Sequence, residues 1–173
     1  MDTTKNIKNL NKRTTRKIER IIIHCSASKE GQDLTVEQID KMHRQRGFKE
    51  IGYHFVIYRN GEIHDGRDID KIGAHTTNYN TGSIGICYIG GLDKNGRIKD
   101  TKTYQQENSL YILVRKLLEM YPTIKEVKGH RDYSPDTNGD GIISKYEWIK
   151  GCPCFDVTEW MYLTRLNELI NKH

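Results

Sequence analysis

Three consecutive isoleucines stand near the start of the chain, in the stretch RIIIHCSA at residues 20–27. Successive side chains of a strand point to opposite faces, so a strand with an unbroken apolar run is buried on both sides. The stretches SIGICYIGG and TIKEVKGH indicate two further short strands, and the second ends at His130. A sheet built from such strands needs other elements to cover it.

Helix signals lie between and after these strands. Thr35 is followed three residues later by Gln38, and Thr103 by Gln106, which is the spacing of a capping box. Asp156 is predicted to cap a last helix. Apolar residues at helical spacing predict the buried faces of the three helices. These are Ile39, Met42 and His43 in the first, Leu110, Leu113, Val114, Leu117 and Leu118 in the second, and Val157, Trp160, Met161 and Leu166 in the last.

The stretch YHFVIYRNGEIHDGR predicts a β-hairpin, because alternating apolar residues flank Asn60-Gly61, a pair that favours a type I′ turn. Strands that alternate with helices indicate an α/β protein, and 173 residues suit one domain. We therefore predict a single α/β domain over residues 18–173, with a mixed central β-sheet flanked by helices. Its site is expected at the ends of strands.

Positive charge is concentrated at the N-terminus. Residues 1–20 contain seven Lys and Arg and two acids, whereas the rest of the chain has 21 of each. Residues 1–17 are predicted to form a solvated basic arm; the alternative is loose attraction to a polyanion, either cell wall or nucleic acid. The arm has no apolar core of a secretory signal, and no run approaches the roughly 20 residues of a membrane span. We therefore expect synthesis in the cytoplasm, no membrane span and no specific nucleic-acid partner.

The chain has four cysteines, at positions 25, 87, 152 and 154. They are sparse, and nothing marks the chain for export, so no disulfide framework is predicted. Reduced thiols leave two roles, packing in the core or binding a metal. Cys25 and Cys87 lie next to or within strands and are predicted to face the core.

His24 and His130 each end a predicted strand, and Cys152 follows in the loop before the last helix. Imidazole and thiolate are ligands that zinc prefers, and three protein ligands leave a fourth position for water. Each residue alone also has an ordinary interpretation, because a single histidine there commonly serves only a hydrogen bond and a single cysteine packs in the core. Spacing alone does not join the three, since no HExxH or CxxC motif is present.

Six motifs occur in order along the chain: IIIHCSAS, GYHFVIYRNGEI, GAHTTNYN, SIGICYIGG, GHRD and KGCPCFD. Together they resemble the N-acetylmuramoyl-L-alanine amidases of the Amidase_2 and peptidoglycan-recognition superfamily, and above all the phage lysozyme-type zinc amidases. The resemblance spans roughly residues 18–170. It implies a zinc-dependent peptidoglycan hydrolase that cuts the amide bond between N-acetylmuramic acid and the L-alanine of the stem peptide.

The resemblance also implies roles for individual residues, carried over motif by motif. Cys152 is favoured as a ligand over Cys154, which becomes a nearby packing or accessory thiol. The implied set is His24, His130 and Cys152 as zinc ligands, Tyr53 and Lys150 as catalytic residues, and His75 and Asn80 as substrate contacts.

These residue types suit amide hydrolysis. Zinc lowers the pKa of a bound water towards 7 and polarises the scissile carbonyl, while the reaction creates an oxyanion and an amine that needs a proton. Lys150 can supply positive charge near the oxyanion, and Tyr53 can position water or pass a proton. The sequence leaves open which residue does which. No carboxylate is obviously placed as a general base, so the usual metalloprotease assignment does not transfer.

The segment between His130 and Cys152 departs from the compact phage pattern, because it contains DTNGDGIISKYE at residues 136–147. This run matches an EF-hand calcium loop, although Pro135 interrupts the entering helix. The alternative is a turn that holds its shape through side-chain to backbone hydrogen bonds. The predicted calcium ligands are Asp136, Asn138, Asp140, Ile142 through its carbonyl, Ser144 and Glu147.

Three functions remain in competition. A zinc amidase acting on peptidoglycan as a monomer is the first, reaching the wall after release or export by another route. A non-catalytic peptidoglycan-binding module is the second, but receptor-like members of the superfamily typically lack the cysteine ligand, so Cys152 favours the enzyme. A calcium-binding regulatory protein is supported by one loop only. The preference for diaminopimelate or lysine in the stem peptide stays open.

Overall fold

The computed structural model describes residues 7–170 of the chain. The strands of this part are β1 (Arg20–Cys25), β2 (Ser28–Lys29), β3 (Phe55–Ile57), β4 (Ile63–Asp65), β5 (Ser83–Tyr88), β6 (Gly91–Leu92) and β7 (Glu126–Gly129). Its helices are α1 (Val36–Gln45), α2 (Tyr104–Met120), α3 (Val157–Leu163) and α4 (Asn167–Ile170), with 3-10 turns at Lys8–Leu10 and His130–Tyr133.

The central sheet has the strand order β4-β3-β5-β1-β7, and β2 pairs separately with β6. β1 lies between β5 and β7 and runs parallel to both, and β3 runs parallel to β5. β4 is antiparallel to β3, so the sheet is mixed. The predicted single α/β fold with a mixed central sheet is confirmed. Its four parallel strands end at one edge, where such folds place their sites.

The isoleucine run of β1 divides between the two faces of the sheet, as the alternation of side chains requires. Ile21 and Ile23 belong to the main core, which also contains the buried residues of α2 and α3. Ile22 is equally buried and points to the opposite face, together with His24. On that face α1 packs through Ile39. His24, and with it the site expected at the strand ends, therefore lies on the α1 side of the sheet.

The helices begin where the sequence predicts. Thr35 and Thr103 each form a capping box, and the Asp156 side chain accepts from the first turn of α3. The whole predicted stripe of α2 is buried. Met42 is the exception, because α1 covers only a small cluster around Ile39 and leaves Met42 40% exposed. No helix within residues 7–170 combines the length and the apolar character needed to cross a membrane.

β3 and β4 form the predicted hairpin, but the predicted type I′ turn is wrong. That turn needs a positive φ at both Asn60 and Gly61, and only Gly61 has one, at 86°. Gly61 N–H donates to the Tyr58 carbonyl at 2.8 Å, and Tyr58 N–H donates to Glu62 at 2.8 Å. These bonds close a three-residue loop ending in a left-handed glycine, the next commonest hairpin connection.

The N-terminal segment packs on the domain from residue 7 onward, so the prediction of a solvated arm is wrong for residues 7–17. Ile7 and Leu10 are each 4% exposed and belong to the main core. The buried Asn9 amide donates to the carbonyls of His54 at 2.9 Å and Arg67 at 3.0 Å. Apolar burial and satisfied backbone groups thus hold a segment whose charge alone suggested a tail. Residues 1–6 lie outside the described residues.

Candidate active site

Sheet topology brings the predicted zinc ligands together. His24 lies near the end of β1, and His130 directly follows β7, the parallel neighbour of β1. Because parallel strands end at the same edge, the two imidazoles meet there, with ring centroids 4.7 Å apart. Cys152 reaches the same point from the loop before α3. The expectation of a site at strand ends is confirmed.

The three side chains have the spacing of a metal site. Their ligand atoms all lie within 4.8 Å of one another, and His24 Nδ1 is 3.8 Å from Cys152 Sγ. Tetrahedral zinc bonds of about 2.1 Å to nitrogen and 2.3 Å to sulfur would place these two atoms about 3.6 Å apart. The group can therefore hold a metal ion, and its donors suit zinc. A fourth ligand position is left for a non-protein ligand.

A chain of hydrogen bonds assigns the tautomer of His24. The Ser83 hydroxyl donates to the Asn80 carbonyl at 2.8 Å, an atom that can only accept. The Ser83 oxygen therefore accepts from Nε2 of His75, 3.2 Å away. Nδ1 of His75 is then the acceptor for the Nε2–H of His24, at 3.0 Å. Nδ1 of His24 is left unprotonated and facing Cys152, as metal binding requires.

Glycines make room for the His75 ring. An added Cβ on Gly85 would lie 2.6 Å from Cδ2 of His75, and one on Gly73 would lie 2.5 Å from the same atom. Ser83 beside them is fully buried. Neither Ser83 nor Gly85 was predicted from the sequence as a site residue. The available signal was a glycine within a buried strand, which marks the close approach of another group.

Backbone contacts hold Cys152. The N–H of Cys25 points at the Cys152 sulfur at 3.2 Å, and the N–H of Arg131 donates to the Cys152 carbonyl at 2.8 Å. One residue on, the Tyr88 hydroxyl donates to the Pro153 carbonyl at 2.6 Å. These contacts fix the sulfur of Cys152 beside His24 and His130.

Burial keeps the two imidazole ligands neutral at neutral pH. It lowers the pKa of His24 well below its usual value, and His75 and His130 add to the effect. Burial also lowers the pKa of His130 to about 4, with the charge of Lys150 as the second cause. A neutral imidazole is the form that ligates a metal. The neutral state of both imidazoles and the spacing of the three side chains thus both suit metal binding.

The metal group opens into a cleft of about 520 Å³. Both predicted catalytic residues line this cleft, Tyr53 half-buried and Lys150 exposed. The Tyr53 ring lies 5.1 Å from the ring of His24. Burial raises the pKa of Tyr53 well above its usual value, and the nearby thiols add to this, so the phenol stays protonated at neutral pH. The cleft therefore presents two cations, Lys150 and Arg46, and the neutral phenol of Tyr53.

Comparison with known proteins identifies the family. Residues 14–141 match Amidase_2, the N-acetylmuramoyl-L-alanine amidase family, over well more than half of the chain. This chain belongs to the Amidase_2 family. The match ends before Lys150 and Cys152, so these two residues rest on the site geometry and the motif KGCPCFD rather than on the matched region.

Relatives of this Amidase_2 chain include phage endolysins. It is 36% identical to the endolysin of Enterobacteria phage T3 over 152 residues, which cover 88% of this chain and 89% of the phage protein. Among solved structures, the endolysin N-acetylmuramoyl-L-alanine amidase LysCS from Clostridium intestinale matches with a TM-score of 0.67 and 28% identity, covering 88% and 85% of the two chains. Bumblebee PGRP-SA shares the fold, with a TM-score of 0.63, 21% identity, and 86% and 83% coverage.

In this Amidase_2 domain the two predicted substrate contacts have internal partners. His75 and Asn80 both line the cleft. Oδ1 of Asn80 accepts from the backbone N–H groups of His75 and Thr76, each at 2.8 Å. Both ring nitrogens of His75 belong to the hydrogen-bond chain that ends on His24. The two residues therefore shape the metal site, and their contact with substrate stays a prediction.

The EF-hand-like segment of the amidase domain forms a turn held by its own side chains. The Asp136 carboxylate accepts from the N–H groups of Gly139 at 2.6 Å and Gly141 at 2.8 Å. The Glu147 carboxylate accepts from the N–H groups of Thr137 and residue 144, each at 2.8 Å. Within the described residues, the loop carboxylates form no group close enough to share one ion. This is the turn that the sequence left as the alternative, and the structure gives calcium no support.

Proposed function

We propose that this chain is a zinc-dependent amidase that hydrolyses the bond between N-acetylmuramic acid and the L-alanine of the peptidoglycan stem peptide. The observation that carries the proposal is the His24, His130 and Cys152 group, which opens into a cleft with Tyr53 and Lys150. Membership of the Amidase_2 family and the likeness to a phage endolysin support it.

The chain's own residues prepare the metal position. His24 through Nδ1, His130 and Cys152 would hold the ion, which when bound supplies an acidified water and a Lewis acid for the substrate carbonyl. The Ser83 and His75 hydrogen bonds keep His24 in the ligating tautomer. A hydrogen bond to a metal-binding histidine both orients its ring and raises its basicity as a ligand.

Lys150 and Tyr53 supply oxyanion stabilisation and proton donation, respectively. The Lys150 ammonium offers positive charge to the carbonyl oxygen as it becomes an oxyanion. Tyr53 is protonated at neutral pH and donates its proton towards the departing nitrogen of L-alanine. No Asp or Glu lines the cleft in the described residues, so proton transfer there does not fall to a carboxylate.

Product analysis tests the reaction. Purified peptidoglycan treated with the zinc-loaded protein should gain free amino termini on L-alanine and no new reducing sugar ends. Tyr53→Phe and Lys150→Met should retain bound zinc and lose turnover, because neither residue belongs to the ligand group. New reducing ends would instead identify a glycosidase and contradict the proposal.

A peptidoglycan-binding module without catalysis is the second candidate. The fold shared with bumblebee PGRP-SA, a peptidoglycan recognition protein by name, favours it. Cys152 weighs against it, since receptor-like members of the superfamily typically lack that ligand. Co-sedimentation with insoluble peptidoglycan, without release of amino termini in the presence of zinc, would select this candidate over the enzyme.

The cellular setting rests on the sequence. We propose that the protein is a monomer that acts on the cell wall after release or export by another route. The test is whether the purified protein elutes as a monomer and lyses cells only when it is given access to the wall from outside the cytoplasmic membrane.

A further inference from the structure

Two thiols outside the metal group face each other beside it. Cys25 ends β1, and Cys154 lies two residues beyond Cys152. Their sulfur atoms are 3.6 Å apart, although 129 positions separate the residues in the sequence. Neither thiol belongs to the group that can hold a metal. The amidase chemistry therefore leaves this pair without a role.

A third segment holds the two thiols together. Gly91, in β6, lies against both sulfurs. An added Cβ there would lie 2.5 Å from Sγ of Cys25 and 3.3 Å from Sγ of Cys154. Its φ of 105° is also one that other residues rarely adopt. Any larger side chain would push into the thiols, so the glycine preserves their close approach.

Solvent reaches mainly one thiol of the pair. Cys25 is 4% exposed, whereas Cys154 is half-buried and reachable from solvent. Cys87, the remaining thiol away from the metal group, is fully buried, and its sulfur donates to the carbonyl of Tyr88 at 3.6 Å. An oxidant would therefore meet Cys154 first and find Cys25 behind it.

We propose that Cys25 and Cys154 are a disulfide-forming pair, oxidised by a low-molecular-weight disulfide while Cys152 stays a metal ligand. The Cys154 thiolate attacks one sulfur of the small disulfide, forms a mixed disulfide and releases one small thiol. The Cys25 thiolate then attacks the Cys154 sulfur and releases the second small thiol. The protein loses two electrons and two protons, and the small disulfide gains them.

Cys152 is the competitor that the proposal must exclude. Its sulfur lies 3.2 Å from the backbone nitrogen of Cys25, so it is also near the pair. In the zinc-loaded protein Cys152 is bound as a ligand, which rests on the proposed function. The Cys25 and Cys154 contact itself does not, because neither thiol belongs to the metal group.

The cross-link would tie the loop that carries Cys152 to the end of β1. Closing so long a stretch of chain restricts the unfolded state, so the oxidised protein should melt at a higher temperature. The link would form only where small disulfides persist, outside a reducing cytoplasm. It would thus stabilise the site in the compartment where a wall-cleaving enzyme works.

The test uses the full zinc-loaded chain incubated with oxidised glutathione. Thiols are then counted in denaturant with a chelator, and linked peptides are identified by mass spectrometry. Two of the four thiols should disappear, the Cys25 and Cys154 peptides should be joined, and the melting temperature should rise. Cys87→Ser should still lose two thiols, whereas Cys154→Ser should lose none.

Several results would overturn the proposal. Four thiols surviving oxidation would do so, as would a link that contains Cys152 in the loaded protein. A glutathione adduct that stays on Cys154 would show that Cys25 cannot reach it. Cys152→Ser separates this proposal from the proposed function, because the Cys25 to Cys154 link should form there without a complete zinc site.

Discussion

The metal group is assembled from two unlike halves. The sheet half is His24, which is 1% exposed and fixed through His75 and Ser83, both buried on the same face of the sheet. The loop half is His130 and Cys152, which are half-buried and flank the largely exposed segment 136–150. One half is oriented by side-chain hydrogen bonds, and the other is positioned by backbone contacts.

This difference separates orientation from position. A change in the sheet half should leave the ligands in place but disturb the tautomer or ring angle of His24. In the loop half, a substitution of His130 or Cys152 should remove a ligand. A substitution in the turn at residues 136–147 should leave both ligands in place. The two halves should therefore respond to substitution with different sizes of effect.

Cys152→Ala should have the largest effect, because it removes a ligand of the loop half. Bound zinc should fall from one equivalent to near none, and activity should fall by more than the roughly 100-fold that losing an outer partner costs. Cys154→Ala is the matched control and should keep both. Metal analysis and peptidoglycan turnover of the two variants check this. Equal zinc loss in both would reverse the ligand assignment.

Acid should weaken the sheet half through His54. Gly85 N–H donates to Nδ1 of this buried ring at 3.0 Å, and burial lowers its pKa to about 4 from a usual 6.5. The unfolded chain then binds more protons than the folded one between these values, so stability is full above pH 6.5 and is lost as the pH falls towards 4. The loss is on the order of 3 kcal/mol.

Urea unfolding between pH 4 and 7 measures this slope. The slope should be smaller in His54→Asn by the contribution of His54, with His24 and His130, whose pKa values are also lowered, supplying the rest. It should be unchanged in His64→Asn, whose side chain is 38% exposed. The same slope in wild type and His54→Asn would mean that other groups carry the acid sensitivity.

Ser83→Ala should weaken zinc binding by about 10-fold, the low end of the range for a direct partner of a metal-binding histidine, because Ser83 acts on His24 through His75. The change removes the acceptor that fixes His75 and, through it, the Nε2–H tautomer of His24. Ser109→Ala is the control, since Ser109 is also buried but donates to Gly61 far from the metal group. Zinc affinity measured by chelator competition should change in the first variant alone. Similar affinities in both variants would remove Ser83 from the site.

Glu147→Gln should have the smallest effect. Hydrogen bonds from the N–H groups of Ser144 and Thr137 lower the pKa of Glu147 to about 2, so its contribution is present above pH 4.5 and is lost as the pH falls towards 2. Losing the charge should loosen the turn and lower the melting temperature slightly, with zinc affinity unchanged. Excess calcium should shift the wild-type melting curve little. A clear calcium-dependent rise would restore the EF-hand prediction.

The fold was predictable where local patterns and burial agree. The capping boxes at Thr35 and Thr103 and the α2 stripe depend on neighbouring residues, and all are present. The packed N-terminal segment was not predictable, because charge suggested a tail while Asn9 is held by loops some 45 positions away or more. The turn at Gly61 was mispredicted because the pair Asn-Gly also suits a longer loop.

The site was predictable only in part. His24, His130 and Cys152 came from a resemblance spread over six motifs, and the parallel pairing of β1 with β7 explains why two of them meet. The roles of Ser83 and Gly85 depend on how His75 packs across β5. A glycine within a buried strand signals that some group approaches closely, but it does not say which one. The sequence located the three residues of the metal group and missed those that orient His24.

X-ray absorption at the zinc edge of the purified protein tests most directly whether the two halves share one ion. The prediction is one equivalent of zinc with two imidazole nitrogens and a single sulfur at about 2.3 Å. Absence of stoichiometric zinc, or a second sulfur contributed by Cys154, would contradict the ligand set of His24, His130 and Cys152.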